Sequence, residues 1–170
     1  MSDVSDFNRE LDLFADSIDD DILEITKQTV KDTYEFIVES VSPSPTMKNG
    51  DAEYSLGSYV QSHRINIGEI TDYGFIWLTN TDTGSAAKAM MQLSKLNGLK
   101  PYQSVFISNN IPWAVDVEMG WAGRKGITFW PGATHGPYAV YARGQLEAVT
   151  ELEKMTNYFS NITHNKMRAK

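Results

Sequence analysis

The chain contains no cysteine. Disulfides, thiol nucleophiles and every cysteine-ligated metal centre are excluded at once, although a cysteine-free chain works in either redox compartment. Histidine is nearly as scarce. His63, His135 and His164 are the three imidazoles, and no two are close in sequence. There is no HExxH or comparable metal spacing, no GxSxG elbow, and no serine in a setting that marks a nucleophile. Gly120, Gly123 and Gly126 are evenly spaced, but they do not lead from a strand into a helix with a basic residue, so a phosphate loop is not expected. No run approaches the ~18 consecutive apolar residues that span a bilayer. The start is acidic where a signal peptide carries a basic segment and an apolar stretch, so no leader is expected and the chain is expected to be made in a cytoplasm. Positive charge is also in short supply, with 15 Lys and Arg against 22 Asp and Glu and a net charge of −7. That sign argues against a general nucleic-acid binder, which needs basic patches.

Apolar residues make up 41% of the 170 residues and charged residues 22%, enough for a real core in one domain and unlike a disordered composition. The charge is unevenly spread. The first 21 residues carry seven aspartates and Glu10 against Arg9, while His164 to Lys170 carry Lys166, Arg168 and Lys170 and no acid. Opposite-signed ends are compatible with head-to-tail contacts between subunits, but solvated termini are the more common explanation.

Residues 7–41 read as a helix. Leu11, Phe14, Ile18, Ile22 and Ile25 follow three- and four-residue steps, and Val30, Tyr34, Ile37, Val38 and Val41 continue them on a drifted stripe. Aspartate and glutamate crowd its start, where the helix dipole favours them. The Asp19-Asp20-Asp21 run is a candidate break, and Ser42-Pro43-Ser44-Pro45 is the expected end. A sheet region is expected over 54–119. From Tyr54 to Ile70 the period is two, with Tyr59, Gln61, His63, Ile65 and Ile67 on one face and Val60, Ser62, Arg64 and Asn66 on the other. Phe75 to Thr79 and Ser104 to Ser108 read as further strands, Ser85 to Leu96 as a short helix stopped by Gly98, and Trp113 to Glu118 as strand or helix. Residues 120–137 hold five glycines, two prolines, Trp121, Phe129 and Trp130, and read as a long loop. The last helix is expected over 138–159, with a stripe through Val140/Tyr141, Ala148/Val149, Leu152, Met155 and Phe159. The sum is one α+β domain, 1–170, with an antiparallel sheet packed by the N-terminal and C-terminal helices and a long aromatic, glycine-rich loop.

Candidates for chemistry are few. On one strand Asp116 and Glu118 would point the same way, as paired catalytic carboxylates do, but a solvated strand edge is the plainer reading. His135 lies in the glycine-rich loop, where a histidine without a partner is the plainer reading. No catalytic, metal-binding or cofactor-binding residue is assigned, and no cofactor is expected. Trp121, Phe129 and Trp130 have only Arg124 and Lys125 beside them for solubility, and with His135 they form a candidate subunit interface, since large rings dominate contact energies. The alternative is that these rings fill the core, as is expected of Trp77 and Trp113.

Several segments together resemble the neck (tail-completion) proteins of long-tailed bacteriophages. Ser42-Pro43 stands where that family's first helix ends, and Leu56-Gly57-Ser58-Tyr59-Val60 where its glycine-led strand begins. The sharpest match runs from Ile107 to Gly120, whose Asn109, Asn110, Pro112, Trp113, Glu118 and Gly120 follow the family's Asn-Asn-x-Pro-aromatic-Ala turn with Glu-x-Gly behind it. Asparagine tolerates left-handed turns, proline fixes its own φ at the entry to the next segment, and glycine permits a sharp exit. The order of segments agrees over roughly residues 7–158. The chain departs from the family at Met47-Lys48-Asn49-Gly50, where a Thr-Gly pair is usual, and in the 120–137 loop, where shorter apolar segments stand.

The resemblance implies a non-enzymatic virion protein at the head–tail junction, joining the DNA-filled head to the tail. Its partners would be copies of itself in a ring of about six or about twelve subunits, the head-side connector or head-completion protein, and the tail terminator or tail tube, with DNA only as passing cargo and no membrane. An acidic lumen would suit DNA transit, because phosphates are repelled. A tail-terminator ring capping the tail tube is the nearest alternative. A small hydrolase or a ligand-binding module built on the 120–137 loop is a more distant one.

Overall fold

The computed structural model describes residues 4–40, 56–76, 84–112, 114–119 and 139–168. Two long helices form its frame. Helix α1, Val4–Glu39, is continuous through the Asp19-Asp20-Asp21 run, since the steps from Ile18 to Ile22 to Ile25 keep an apolar side in register across it. The last helix of the chain, Val140–Arg168, extends well beyond Phe159. The two helices pack at one end in particular. Ile37 lies against Gly144, and the Arg143 guanidinium sits 5.1 Å from the centroid of the Phe36 ring. The end of α1 thus meets the beginning of its partner and the pair runs antiparallel. A Cβ at Gly144 would come within 2.7 Å of Ile37 Cγ1, so the missing side chain is what permits this approach.

Between them lie α2, Leu56–Gln61; β1, His63–Ile67; α3, Ser85–Met90; a 3₁₀ segment, Met91–Gly98; β2, Val105–Asn109; and α4, Ala114–Met119, which makes the closing helix Val140–Arg168 α5. Strands β1 and β2 pair antiparallel, His63 opposite Asn109 and Ile67 opposite Val105. The fold is therefore mixed helix and antiparallel sheet, as the sequence pattern predicts, with two strands among the described residues.

Three expectations are corrected. The period-two pattern places Tyr59 and Gln61 on a strand with His63, but residues 56–61 form a helix turned directly into β1 at Ser62, whose amide bonds the carbonyls of Ser58 and Tyr59. Every residue from Gly57 to Asn66 is buried, so no polar face marks where the period changes. Residues 71–76 form no regular element and belong to neither strand; Ile76 is instead held to the Ser62 hydroxyl, which accepts its amide at 2.9 Å. Trp77 to Thr79 lie outside the described residues. The helix that begins at Ser85 tightens to 3₁₀ geometry from Met91 before it stops at Gly98.

The core gathers Tyr34, Ile37 and Val38 of α1, Tyr59 and Val60 of α2, Ile65 of β1, Ile111, Val117 of α4 and Val140 of α5, all essentially inaccessible. Burying a large apolar side chain is worth about 1.5–3 kcal/mol, so this cluster fixes how both long helices sit on the sheet. On the far side, Lys100, Pro101, Tyr102 and Gln103 make a turn with proline second and Tyr102 at a positive φ of 64°. The Tyr102 hydroxyl donates to Asp19 Oδ1 at 2.7 Å and ties this turn to α1.

Candidate functional site

The polar centre of the molecule is His63. Strand β1 carries it between α1, α2 and α5, where its ring has no exposed surface. Tyr59 meets it edge-on at 4.9 Å between ring centroids, and Tyr34 edge-on at 6.5 Å. Tyr141 of α5 lies 5.7 Å away, its hydroxyl 2.9 Å from His63 Nδ1. The Asn109 side-chain amide lies 3.4 Å from the same nitrogen. Asn109 Oδ1 accepts the Ile111 amide and its Nδ2 donates to the Tyr59 carbonyl at 2.8 Å, which orients the group with a donor toward the ring. The amide and the Tyr141 hydroxyl both converge on Nδ1, and the opposite ring nitrogen is Nε2. That nitrogen is buried with no hydrogen-bond partner among the described residues. Burial, assisted by the adjacent Arg64 charge, pushes the imidazole pKa down from 6.5 to about 3. Burial raises Tyr34, Tyr59 and Tyr141 well above the usual phenol range, with Arg64 opposing at Tyr34 and Glu118 adding at Tyr59 and Tyr141.

Backbone hydrogen bonds complete the join. The Tyr34 hydroxyl donates to the carbonyls of Ala89 at 3.0 Å and His63 at 3.3 Å, linking α1 to α3 and β1. Arg64 Nη1 donates to the carbonyls of Gln61 at 2.7 Å and His63 at 3.0 Å, and its Nε lies 3.4 Å from Asp72 Oδ2. Lys95 reaches the same carboxylate at 3.3 Å and the Ile65 carbonyl at 3.0 Å. Burial pushes the Asp72 carboxyl up, but the Gly74 amide and the two cations outweigh it and hold the group below the usual carboxylate range. Asn66 Oδ1 accepts the amides of Thr71 and Asp72, which folds this stretch back onto β1 after the left-handed Gly68.

The block with Asn109 and Glu118 lies beside this centre. Asn109 ends β2; Ile111 is buried and its carbonyl accepts the Ala114 amide that starts α4; Pro112 is exposed at the turn. Asn110 leaves Nδ2 buried with no partner among the described residues. Residues 114–119 are helical, so the arrangement that would set Asp116 and Glu118 side by side is absent, because positions two apart on a helix do not share a face. Glu118 instead turns to α5. Its Oε1 accepts the amides of Tyr141 at 2.8 Å and Ala142 at 3.2 Å, and its carbonyl accepts the Ala139 amide. It caps a helix distant in sequence, stabilised by the positive end of that helix. Trp113, Gly120, Trp121, Phe129, Trp130 and His135 lie outside the described residues.

The structure thus brings together Asn109 and Glu118 of the motif, and adds His63, Tyr34, Tyr59 and Tyr141, which sequence reasoning left unassigned. Tyrosines on the inner stripes of both end helices were the available signal, because a buried hydroxyl needs a partner. Chemically, the centre ties α1, β1, β2 and α5 through a neutral ring closed to solvent. Among the described residues no group of three or more acidic or histidine side chains is placed to hold a metal ion, and no helix is long and apolar enough to cross a membrane.

A second surface stands out for the opposite reason. Every residue from Val4 to Ile18 is exposed, although Phe7, Leu11, Phe14 and Ile18 repeat at helical steps and are 60, 49, 54 and 38% accessible. No family model matches the chain, and neither a curated protein nor a solved structure does.

Proposed function

We propose that this chain is a structural protein of the phage neck, assembling into a ring that joins the DNA-filled head to the tail and lets DNA pass. The observation that carries the reading is the exposed stripe of Phe7, Leu11, Phe14 and Ile18. Contiguous apolar surface of this kind marks a contact with another chain. The stripe supports assembly, and the Asn109 to Gly120 block supports the neck as the assembly concerned. In the proposed role that block joins β2 to α5, through the Asn109 turn and the Glu118 cap, and so holds the outer helix pair on the sheet. The geometry of a closed ring requires a heterologous interface, in which two different surfaces of each subunit meet. The net charge of −7 suits a lumen that does not grip passing DNA.

Quantitative mass spectrometry of purified tailed particles, with the major capsid protein as the internal standard, tests this reading. One ring equivalent, about six or about twelve copies per particle, is expected for a closed symmetric assembly. Hundreds of copies would make the chain a tube or decoration protein, and its absence from particles would refute the structural reading. Labelling the chain in particles then separates a neck ring from a tail-terminator ring, the nearest alternative, since only the former stays with tailless heads.

A further inference from the structure

Strand β2 has one edge inside the sheet and one that no described element covers. Gly68 donates to the Ser104 carbonyl, and β1 and β2 pair with His63 opposite Asn109. In an antiparallel ladder bonded pairs alternate with unbonded ones, so Arg64 with Ser108 and Asn66 with Phe106 exchange the ladder hydrogen bonds. The amides and carbonyls of the odd-numbered residues therefore point out of the pair. On β1 the outward carbonyls are in use, His63 accepting from Tyr34 and Arg64, and Ile65 from Lys95. On β2 the outward groups belong to Val105, Ile107 and Asn109, and their backbones have no partner on that side among the described residues. Of the described elements β1 alone runs alongside β2.

Proteins usually blunt such an edge with charge, proline or a bulge. Here the register runs unbroken over five pairs, no proline lies between Val105 and Asn109, and residues 101–115 carry no charged side chain. A two-stranded sheet is also marginal by itself. We propose that two copies of the free chain pair antiparallel through the outer edges of their β2 strands, making one four-stranded sheet. A twofold axis at Ile107 sets that residue against its own copy and Val105 against Asn109 of the other chain, so each outward amide meets an outward carbonyl. Ile107 against itself is a β-branched cross-strand pair, and the adjoining row sets the exposed Phe106 against Ser108. Two chains of net charge −7 repel as wholes, yet this contact opposes no charges. An extended segment of another protein would meet the same groups, but every copy of the chain already carries the matching edge. The contact is isologous and closes at two copies, so it belongs to the chain before assembly and does not depend on the ring reading.

The absence of cysteine makes the register testable. In this pairing Phe106 and Ser108 of opposite copies are an unbonded pair with Cα atoms about 4.5 Å apart, within disulfide range. Two copies of Phe106 lie on a diagonal about 7–8 Å apart, beyond that range. Phe106→Cys and Ser108→Cys are made in separate, differently tagged full-length chains, mixed and oxidised. The mixed disulfide is expected to exceed both homodisulfides severalfold, and sedimentation of the unaltered chain is expected to show a dimer. Val105→Pro removes an outward amide and no ladder bond. It is expected to weaken the dimer roughly tenfold or more, because two hydrogen bonds are lost per pair. Circular dichroism checks that each variant keeps its helices. A monomeric parent chain would overturn the proposal, as would homodisulfides as abundant as the mixed one. A folded Val105→Pro chain that dimerises as tightly as the parent would overturn it too.

Discussion

Glu118 on α4 accepts the backbone amide of Tyr141 on α5 at 2.8 Å, so a carboxylate 23 residues upstream closes the first turn of the C-terminal helix. Arg143 and Gly144 in that first turn pack on Phe36 and Ile37 of α1, and the cap therefore holds the helix pair where it matters to the core. Glu118→Ala is expected to lower unfolding stability by about 1–2 kcal/mol, and Glu118→Gln, which keeps an acceptor but loses the charge, by about 0.5 kcal/mol. Urea denaturation of both variants measures this. An alanine variant as stable as the parent would show that the cap contributes nothing.

Tyr34 acts differently, because its hydroxyl is a donor between two carbonyls in the core. Tyr34→Phe keeps the ring and removes the donor. The expected loss is about 1 kcal/mol, with α3 freed from α1 at the Ala89 carbonyl. Hydrogen exchange in residues 85–90 should speed up more than in α5. Uniform acceleration across the chain would argue against this local tie.

The His63 ring gives the fold a pH dependence with a definite sign. Its pKa falls to about 3 in the folded chain against 6.5 when free. Below pH 6.5 the unfolded chain binds a proton that the folded chain refuses, so this contribution is fully present above 6.5 and is lost as pH falls toward 3. The slope is about 1.4 kcal/mol per pH unit within that window. Carboxylates titrate there too, so the comparison is with His63→Phe. Denaturation at pH 7 and pH 4.5 should show a smaller drop in the variant, and equal drops would rule out a neutral, buried His63.

Gly144 is the fourth case. In an exposed helix, Gly→Ala adds about 1 kcal/mol of stability. Here the new methyl meets the buried Ile37 side chain at 2.7 and 2.9 Å, and overpacking of a core costs about 1–3 kcal/mol. Gly144→Ala is expected to destabilise, and Gly144→Val to do so more strongly. A rise in thermal midpoint for the alanine variant would mean the helices separate without cost.

These four positions also show what sequence reasoning can reach. Both end helices were legible because their apolar residues keep helical steps over many turns and their outer faces are charged. Strand β2 was legible as a short apolar run before a turn. The stretch from Gly57 to Asn66 was not, because burial on all sides erases the contrast between faces that distinguishes a helix from a strand. The Glu118 cap was also out of reach, since its amides come from residues beyond a long intervening segment. Asn109 was recognised as a turn residue, but its contact with the Tyr59 carbonyl depends on the strand register.

The exposed arm of α1, residues 4–18, has a consequence for the kinetics of the proposed assembly. A free helix of fifteen residues is marginal in water, chiefly because its first turn is costly to nucleate. The arm avoids that step, since it propagates outward from residues 19–39, where the Tyr102 bond and the core already hold the helix. Each further turn toward Val4 adds little stability of its own, so the helix frays from its tip and amide protection should decline steadily from Asp19 toward the N-terminus. In the proposed ring a partner surface would meet a segment already wound at its base and zip it toward the tip. In the proposed ring such a contact would form fast and stay reversible while few subunits are present, so misplaced subunits would be released before the structure closes.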